Sequence, residues 1–418
     1  MVIDKRFKNP LVCAALVCAA IVYSGAVKVK DRHQFVSLVE KHDIILLHGK
    51  IVSNPAKLSS RASYSCAFEV HAAVSKSGVT SSCNGRVTAF IDEAIVEAHF
   101  PGKLYSSSKG KGAFMCEKGA LAVLSGSFKG DIFFVKSVQN ARWEHDVSGR
   151  IAHVRALSRL QFRRLMYAWG DAGGLLLALL SGSREYTEHA VSDAFREAGL
   201  SHILALSGMH LSLVSGIALF AGTRMLGKKR AYLLQFCAVV LFVWFAGFSP
   251  SLVRAFLCSV LLLLFSLCSV HGADMFVVLC ISFLCHAFIA PSHLLNAAFM
   301  LSYGALAGIL LFAEKITVPL VRALPKPFAS SLAASTGAQV FTAPISLALF
   351  GAFMPVGIVA AVAVSPLVTL FIYGGLACMA LCLTCPFFVG AAGFAMNALY
   401  NAIKLLVVFF AHFPAIHL

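Results

Sequence analysis

The 418-residue sequence predicts a polytopic α-helical membrane protein with one small all-β barrel inserted outside the membrane. Three observations predict it. Hydrophobic residues make up 59% of the chain and charged residues only 13%, with a mean hydropathy of +0.81, which excludes a soluble globule. Apolar runs of membrane-crossing length recur from residue 200 onward. Between these and a first apolar run lie about a hundred residues with period-two alternation and turn-forming clusters.

In chain order, Asp4, Lys5, Arg6 and Lys8 precede the apolar run Leu11 to Val27, which is at the short limit for a crossing. The basic flank places the N-terminus in the cytoplasm. No A-x-A-like site precedes the polar region, so the run reads as an uncleaved anchor, and residues 1–40 as anchor plus linker.

Residues 41–140 change character. Tyr64, Cys66, Phe68 and Val70 alternate with Ser65, Glu69 and His71, and further strands are expected at Ile44 to Val52, Arg86 to Ile91, Leu121 to Phe128 and Ile132 to Val138. Five strands in this length suit a barrel of the oligonucleotide-binding type. Arg61, Lys76, Arg86, Lys109 and Lys111, with Lys57 and Lys103, lie mostly in or beside Gly/Ser-rich turns, as phosphate contacts do and as plain solvated loops also do. Tyr64, Phe68, Phe90, Phe128, Phe133 and Phe134 fall where a barrel core needs them, so no base-stacking platform is expected. Cys66, Cys83 and Cys116 are an odd set that allows one disulfide or three buried thiols. No His/Cys cluster at zinc spacing accompanies them, and no metal or other cofactor is expected.

Residues 141–199 read as interfacial helices and a re-entrant segment. Arg155, Arg159 and Arg163 form an i, i+4 ridge beside an apolar face, the pattern of a helix lying on lipid headgroups or, alternatively, on DNA phosphate. Asp171 to Gly182 is too short to cross, and Thr187 to Ala198 is amphipathic, with His189, Asp193 and Glu197 at i, i+4 steps.

Crossings are expected at 200–223, 231–247, 251–270, 274–290, 294–313, 328–350, 356–383 and 388–412, the seventh tilted or broken near Pro366; with the anchor that makes nine. Basic loops at Arg224 to Arg230 and Lys315 to Lys326 then fall on the cytoplasmic side, leaving barrel and C-terminus outside.

The stretch Phe195 to Gly216 carries the most chemistry. Drawn as one unbroken helix, it places Ser201, Ala205, Gly208, Ser212, Ser215 and Gly216 on an arc about 100° wide, where a backbone or a bulky ligand approaches closely. His202 flanks that arc, whereas Ser207 and His210 lie toward the far side. Arg254 falls in the first turn of a later helix, after Ser249 as cap and Pro250 at the first position. The helix dipole disfavours a cation there, leaving snorkelling or a ligand as its purpose.

These residues also carry a resemblance. GSREYTEHAVSDAFREAGLSHILALSGMH, from Gly182 to His210, resembles the signature of the ComEC-type competence proteins, as does AGFSPSLVRAFL around Arg254. NAAFMLSYGALAG, STGAQVFTAPISLALF and PVGIVAAVAVSPL agree more weakly; Ser183, Met300 and Tyr303 depart from the family's usual Asp, Gln and Phe. The resemblance implies a competence-type channel domain over 200–418 in the bacterial inner membrane, passing single-stranded transforming DNA inward, with the barrel on the outer side. It makes Arg184, Ser201, His202, Ser207, Gly208, His210, Ser212 and Arg254 pathway candidates. Many family members add a metallo-β-lactamase-like domain that this sequence does not contain, so a separate nuclease is expected. A DNA receptor outside, a cytoplasmic helicase or single-strand-binding protein, membrane lipid and self-association complete the expected partners.

An enzyme is not expected: Ser207 and His210 lack a nearby intramembrane acid to orient them. No Gly-rich Lys-Ser/Thr nucleotide loop is present either. The competing reading is a secondary transporter of a small anionic solute, whose broken helices and midplane polar groups give similar patterns.

Overall fold

The computed structural model describes residues 9–24, 35–58, 63–97, 116–268 and 274–417, and it divides into two compact units. Arg61, Lys103, Lys109 and Lys111 lie outside the described residues. In the first helix, α1 (Pro10–Tyr23), Asn9 accepts from the Leu11 N–H at 3.0 Å and Pro10 occupies the first turn.

One unit comprises residues 31–177 and 183–186. Its strands are β1 (Ile44–Ile51), β2 (Ala56–Lys57), β3 (Ser63–Ser75), β4 (Thr80–Ser82), β5 (Arg86–Asp92), β6 (Leu121–Lys129) and β7 (Ile132–Arg142), with the short α2 (Glu93–Glu97) after β5. The five long strands close a ring, β1-β3-β5-β7-β6-β1, in which only β5 and β7 run parallel. Counted by the long strands alone this is the order 1-2-3-5-4-1, that of an oligonucleotide-binding barrel. The alternation read in β3 holds: Tyr64, Cys66, Phe68 and Val70 are buried and His71 is exposed. Register shifts fall at Gly49 and Gly126, where a Cβ would stand 2.0 Å from the Glu69 and Phe134 carbonyl oxygens; the strands bend by letting bare backbone approach. Cys66, Cys83 and Cys116 are free buried thiols, Cys116 raised well above the usual range by its hydrogen bond with the Cys66 thiol and by burial.

The helix α3 (Val147–Ala168) starts at Asp146, which accepts from the Gly149 N–H at 2.7 Å. Its arginine ridge does not face headgroups. Arg155, Arg159 and Arg163 are buried; Arg159 Nε lies 3.2 Å from Glu117, and Arg163 bridges Glu117 at 2.9 Å and Glu185 at 3.0 Å. Val147, Ile151, Val154 and Leu157 are among the exposed residues instead. The reversal has a plain cause: the ridge has acidic partners within its own unit, which water or a phosphate surface would otherwise have to replace. Burial, then the charge of Arg159, lowers Arg155 to about 10, whereas in Arg163 the two carboxylates outweigh burial and raise it.

The other unit comprises residues 1–30, 178–182 and 187–418. Between the two runs α4 (Gly170–Ser181), a twelve-residue helix in which Leu175 to Leu180 are all buried. The second unit then runs through α5 (His189–Glu197), α6 (Ser201–Leu204), α7 (Gly208–Met225), α8 (Lys228–Ala246), α9 (Pro250–Leu267), α10 (Met275–Ile289), α11 (Ala297–Leu320), α12 (Lys326–Phe350), α13 (Gly357–Thr384) and α14 (Val389–Ala411), and a small β8 (Ala352–Phe353) pairs with β9 (Ile416–His417). Among the described residues four helices, α11 to α14, are long and apolar enough to cross a membrane; α1, α4 and the apolar parts of α8, α9 and α10 are shorter. The helix α13 runs 28 residues through Pro366 without the break allowed for there. Much of the apolar surface of these four helices is outward, as a lipid-facing bundle requires. Val12 and Ala15 of α1 pack with Phe276, Leu279, Phe283, Phe299 and Tyr303 of α10 and α11. Cys382 and Cys385 at the end of α13 stand at C-x-x-C spacing, which the sequence reading passed over; both are free.

Candidate nucleic-acid pathway

The segment expected as one helix from 200 to 223 is broken in two. Gly199 turns the chain at φ +72°, and a Cβ on it would meet Met354 at 2.9 Å and Gly357 at 3.1 Å. After the single turn of α6, Ala205 is extended, and α7 begins only at Gly208 with Ser207 as cap. The arc of small residues drawn on an unbroken helix is therefore cut: Ser201 and His202 are exposed on α6, and Ser212 is exposed on α7. The break is stable because its polar groups find partners. The Ser207 N–H donates to His210 Nδ1 at 3.2 Å, the Ser207 hydroxyl lies 3.1 Å from the same nitrogen, and Ser251 donates to the Leu206 carbonyl.

Gly208 opens this break to Arg254. A Cβ there would lie 3.1 Å from an Arg254 terminal nitrogen and 3.4 Å from Ala255. Arg254 also donates to the Ser302 carbonyl, so the start of α7, the first turn of α9 and the first turns of α11 converge on one guanidinium. Two buried nitrogens here, Arg254 Nε and His210 Nε2, have no partner among the described residues. Donors and acceptors left open inside an apolar bundle are costly, and they are what a ligand's polar atoms would satisfy.

Sequence reasoning missed the network beside this point. Tyr303, noted only as a departure from Phe, shares a hydrogen bond with buried Ser282 at 2.9 Å and lies 3.4 Å from His286 Nδ1, while His286 Nε2 lies 3.1 Å from His293 Nδ1. It also missed Lys404, which the charge pattern alone marks: residues 327–418 contain no other Asp, Glu, Lys or Arg.

In the barrel unit, Arg184 is exposed on Ser183–Tyr186, and Lys76 is exposed 3.6 Å from Asp43. Arg86 is exposed at the start of β5. Near it stand Lys118 and Lys50, the latter paired with Glu144 at 2.6 Å: burial first, then the charges of Arg155, Arg86 and Lys50, lowers Lys118 below its usual value. This basic cluster assembles across β1, β5 and the residue run before β6, so no sequence window contains it. The aromatic expectation is corrected in part. Tyr64, Phe68 and Phe133 are core, but Phe90 and Phe134 are half-buried on the outer side of β5 and β7, edge to face at 5.4 Å, with Lys129 Nζ 5.5 Å from the Phe134 ring. Facing positions of parallel strands put them together.

A family profile described as Competence protein matches residues 179–418, more than half of the chain. The chain belongs to the ComEC-type competence family. It is 31% identical over 144 residues to ComE operon protein 3 of Bacillus subtilis, covering 34% of this chain and 18% of that one. It is 26% identical over 193 residues to Recombination protein 2 of Haemophilus influenzae, covering 42% of this chain and 24% of that one. The matches thus span under a quarter of the length of these curated relatives. No solved structure matches. Within the competence domain, the motif at 182–210 meets the others at its glycines: Gly199 against Gly357, and Gly208 against Arg254.

Proposed function

We propose that this protein passes single-stranded DNA across the bacterial inner membrane during natural competence, with the barrel and the C-terminus on the outer side. The observation that carries the reading is the convergence of Arg254, Gly208 and His210 at a broken helix, with two buried nitrogens open to an anion. Arg254 supplies charge, Gly208 leaves room for a strand to approach, and His210 holds the break in shape through Ser207. Ser201, His202 and Ser212 line the exposed flanks of the same segment, and Arg184, exposed in the barrel unit, attracts a polyanion there. The partners that fit are a DNA receptor outside and a cytoplasmic helicase or single-strand-binding protein, with motive force from the partner or the membrane potential.

The test is uptake of fluorescent double-stranded DNA into the nuclease-protected pool of a competent host. Deletion abolishes internal DNA while surface-bound DNA remains, and Arg254→Gln and His210→Ala, at normal membrane levels, lower it roughly ten-fold or more, the worth of a charge-assisted hydrogen bond. Undiminished uptake in the deletion sinks the channel reading and turns attention to small anionic solutes, which a broken α6/α7 helix also suits.

The barrel contributes a stacking and phosphate surface. Burial, and then repulsion by its basic neighbours, holds the folded pKa of Lys118 below its unfolded one: the fold gains stability as pH rises through that lowered value toward the ordinary ammonium range. Lys118→Gln is therefore expected to raise the melting temperature slightly while weakening oligonucleotide binding, and Phe134→Ser to weaken binding by about 1–3 kcal/mol. Calorimetry and fluorescence anisotropy on the full chain check both; a Lys118→Gln variant that binds as wild type removes the basic cluster from the proposal.

A further inference from the structure

Lys404 sits on α14, and its ammonium donates to Glu188 Oε2 at 2.6 Å; the Tyr400 hydroxyl donates to the same oxygen at 3.0 Å. Asn397, Tyr400 and Lys404 recur at helical spacing, so an otherwise apolar helix carries one polar face. Both members of the ion pair are 36% exposed. A carboxylate in contact with hydrocarbon is too costly to keep, so a pair this open marks a face of the bundle that water reaches. Glu188 precedes α5, where a cap residue stands, yet its side chain makes no capping bond and is spent on α14.

Resting on the DNA-pathway reading above, we propose that Lys404 and Tyr400 form a phosphodiester-binding site on α14 which Glu188 occupies until a strand arrives. A phosphodiester carries the same single negative charge as Glu188 and presents acceptor oxygens to the same two donors. The strand replaces the carboxylate, and the start of α5 is released from α14. The donors lie on α14 and the carboxylate that occupies them belongs to the motif at 182–210, so the site adds a second anion contact to the path.

The experiment uses the full chain in lipid nanodiscs and the anisotropy of a fluorescein-labelled oligothymidylate. Glu188→Gln frees the site and tightens binding several-fold. Lys404→Gln weakens it about ten-fold and lowers the log–log salt slope by about 0.7, one phosphate contact on a single strand. Lys404→Arg keeps the charge and retains binding. The exchanged pair, E188K with K404E, preserves the bridge but puts a carboxylate on α14, and it binds as poorly as Lys404→Gln. An exchanged pair that binds as wild type shows that the bridge merely ties two helices, and overturns the proposal. So does Glu188→Gln with unchanged or weaker binding at an unchanged melting temperature. Wild type that binds no oligonucleotide at low salt defeats the pathway reading itself, whereas wild-type binding indifferent to every variant defeats only this site.

Discussion

Glu117→Ala is expected to cost the barrel unit about 3–5 kcal/mol, a large part of the stability of a domain this size. Glu117 is buried between Arg159 and Arg163, and its removal leaves the Arg159 guanidinium in a site closed to water without the carboxylate it faces. Arg163 keeps Glu185, so the loss centres on Arg159. Replacing the whole cluster, Glu117, Arg159, Arg163 and Glu185, by apolar residues of similar volume removes the burial cost together with the attraction and is expected to be far milder than the single change. Thermal melts followed by tryptophan fluorescence, to which Trp143 stacked on His153 of the same helix α3 contributes, check both. A Glu117→Ala midpoint within a degree or two of wild type shows that water enters to replace the carboxylate.

Gly308→Ala carries the second large effect, in the membrane unit. A Cβ at Gly308 would stand 2.2 Å from the Gly337 carbonyl oxygen, so α11 and α12 touch backbone to backbone. No side chain can swing aside there, and the helices must separate, at an expected cost of about 3 kcal/mol. Gly304 is the control on the same helix: its Cβ would meet the flexible tip of Ile345 at 3.3 Å and the Phe341 Cβ at an ordinary 3.5 Å, so Gly304→Ala stays within about 1 kcal/mol. Thermal aggregation of purified protein in detergent checks the pair, and equal midpoints for the two variants refute the close contact.

The barrel was legible because strand burial has a period of two that reads directly off Tyr64 to His71, and because each long strand carries its own apolar face. Ring order was not legible, since it depends on pairings between strands far apart in sequence, and for the same reason Phe90 and Phe134 were assigned to the core. The arginine ridge of α3 illustrates a sharper limit: periodicity finds a face, but whether that face meets water, lipid or a carboxylate depends on Glu117 and Glu185, which lie in other segments. In the motif, residue types pointed to the right place while the helix drawn through them was wrong. Ser207 and His210 favour a helix equally well as interior residues or as a reciprocal cap, and only the Leu206 carbonyl's partner on α9 decides between these. Lys404 was visible as a lone charge, but its meaning needed Glu188.

The packing of α1 against α10 and α11 sets an order of events during synthesis. At roughly 5–20 residues per second, the ribosome reaches Phe276 tens of seconds after Val12 has emerged, while the intervening barrel segment is already complete. For that interval Val12 and Ala15 have only lipid or an insertion factor to lie against. Nascent chains halted before α10 should therefore keep α1 accessible to crosslinking by the insertion machinery, and release it only once α11 has followed.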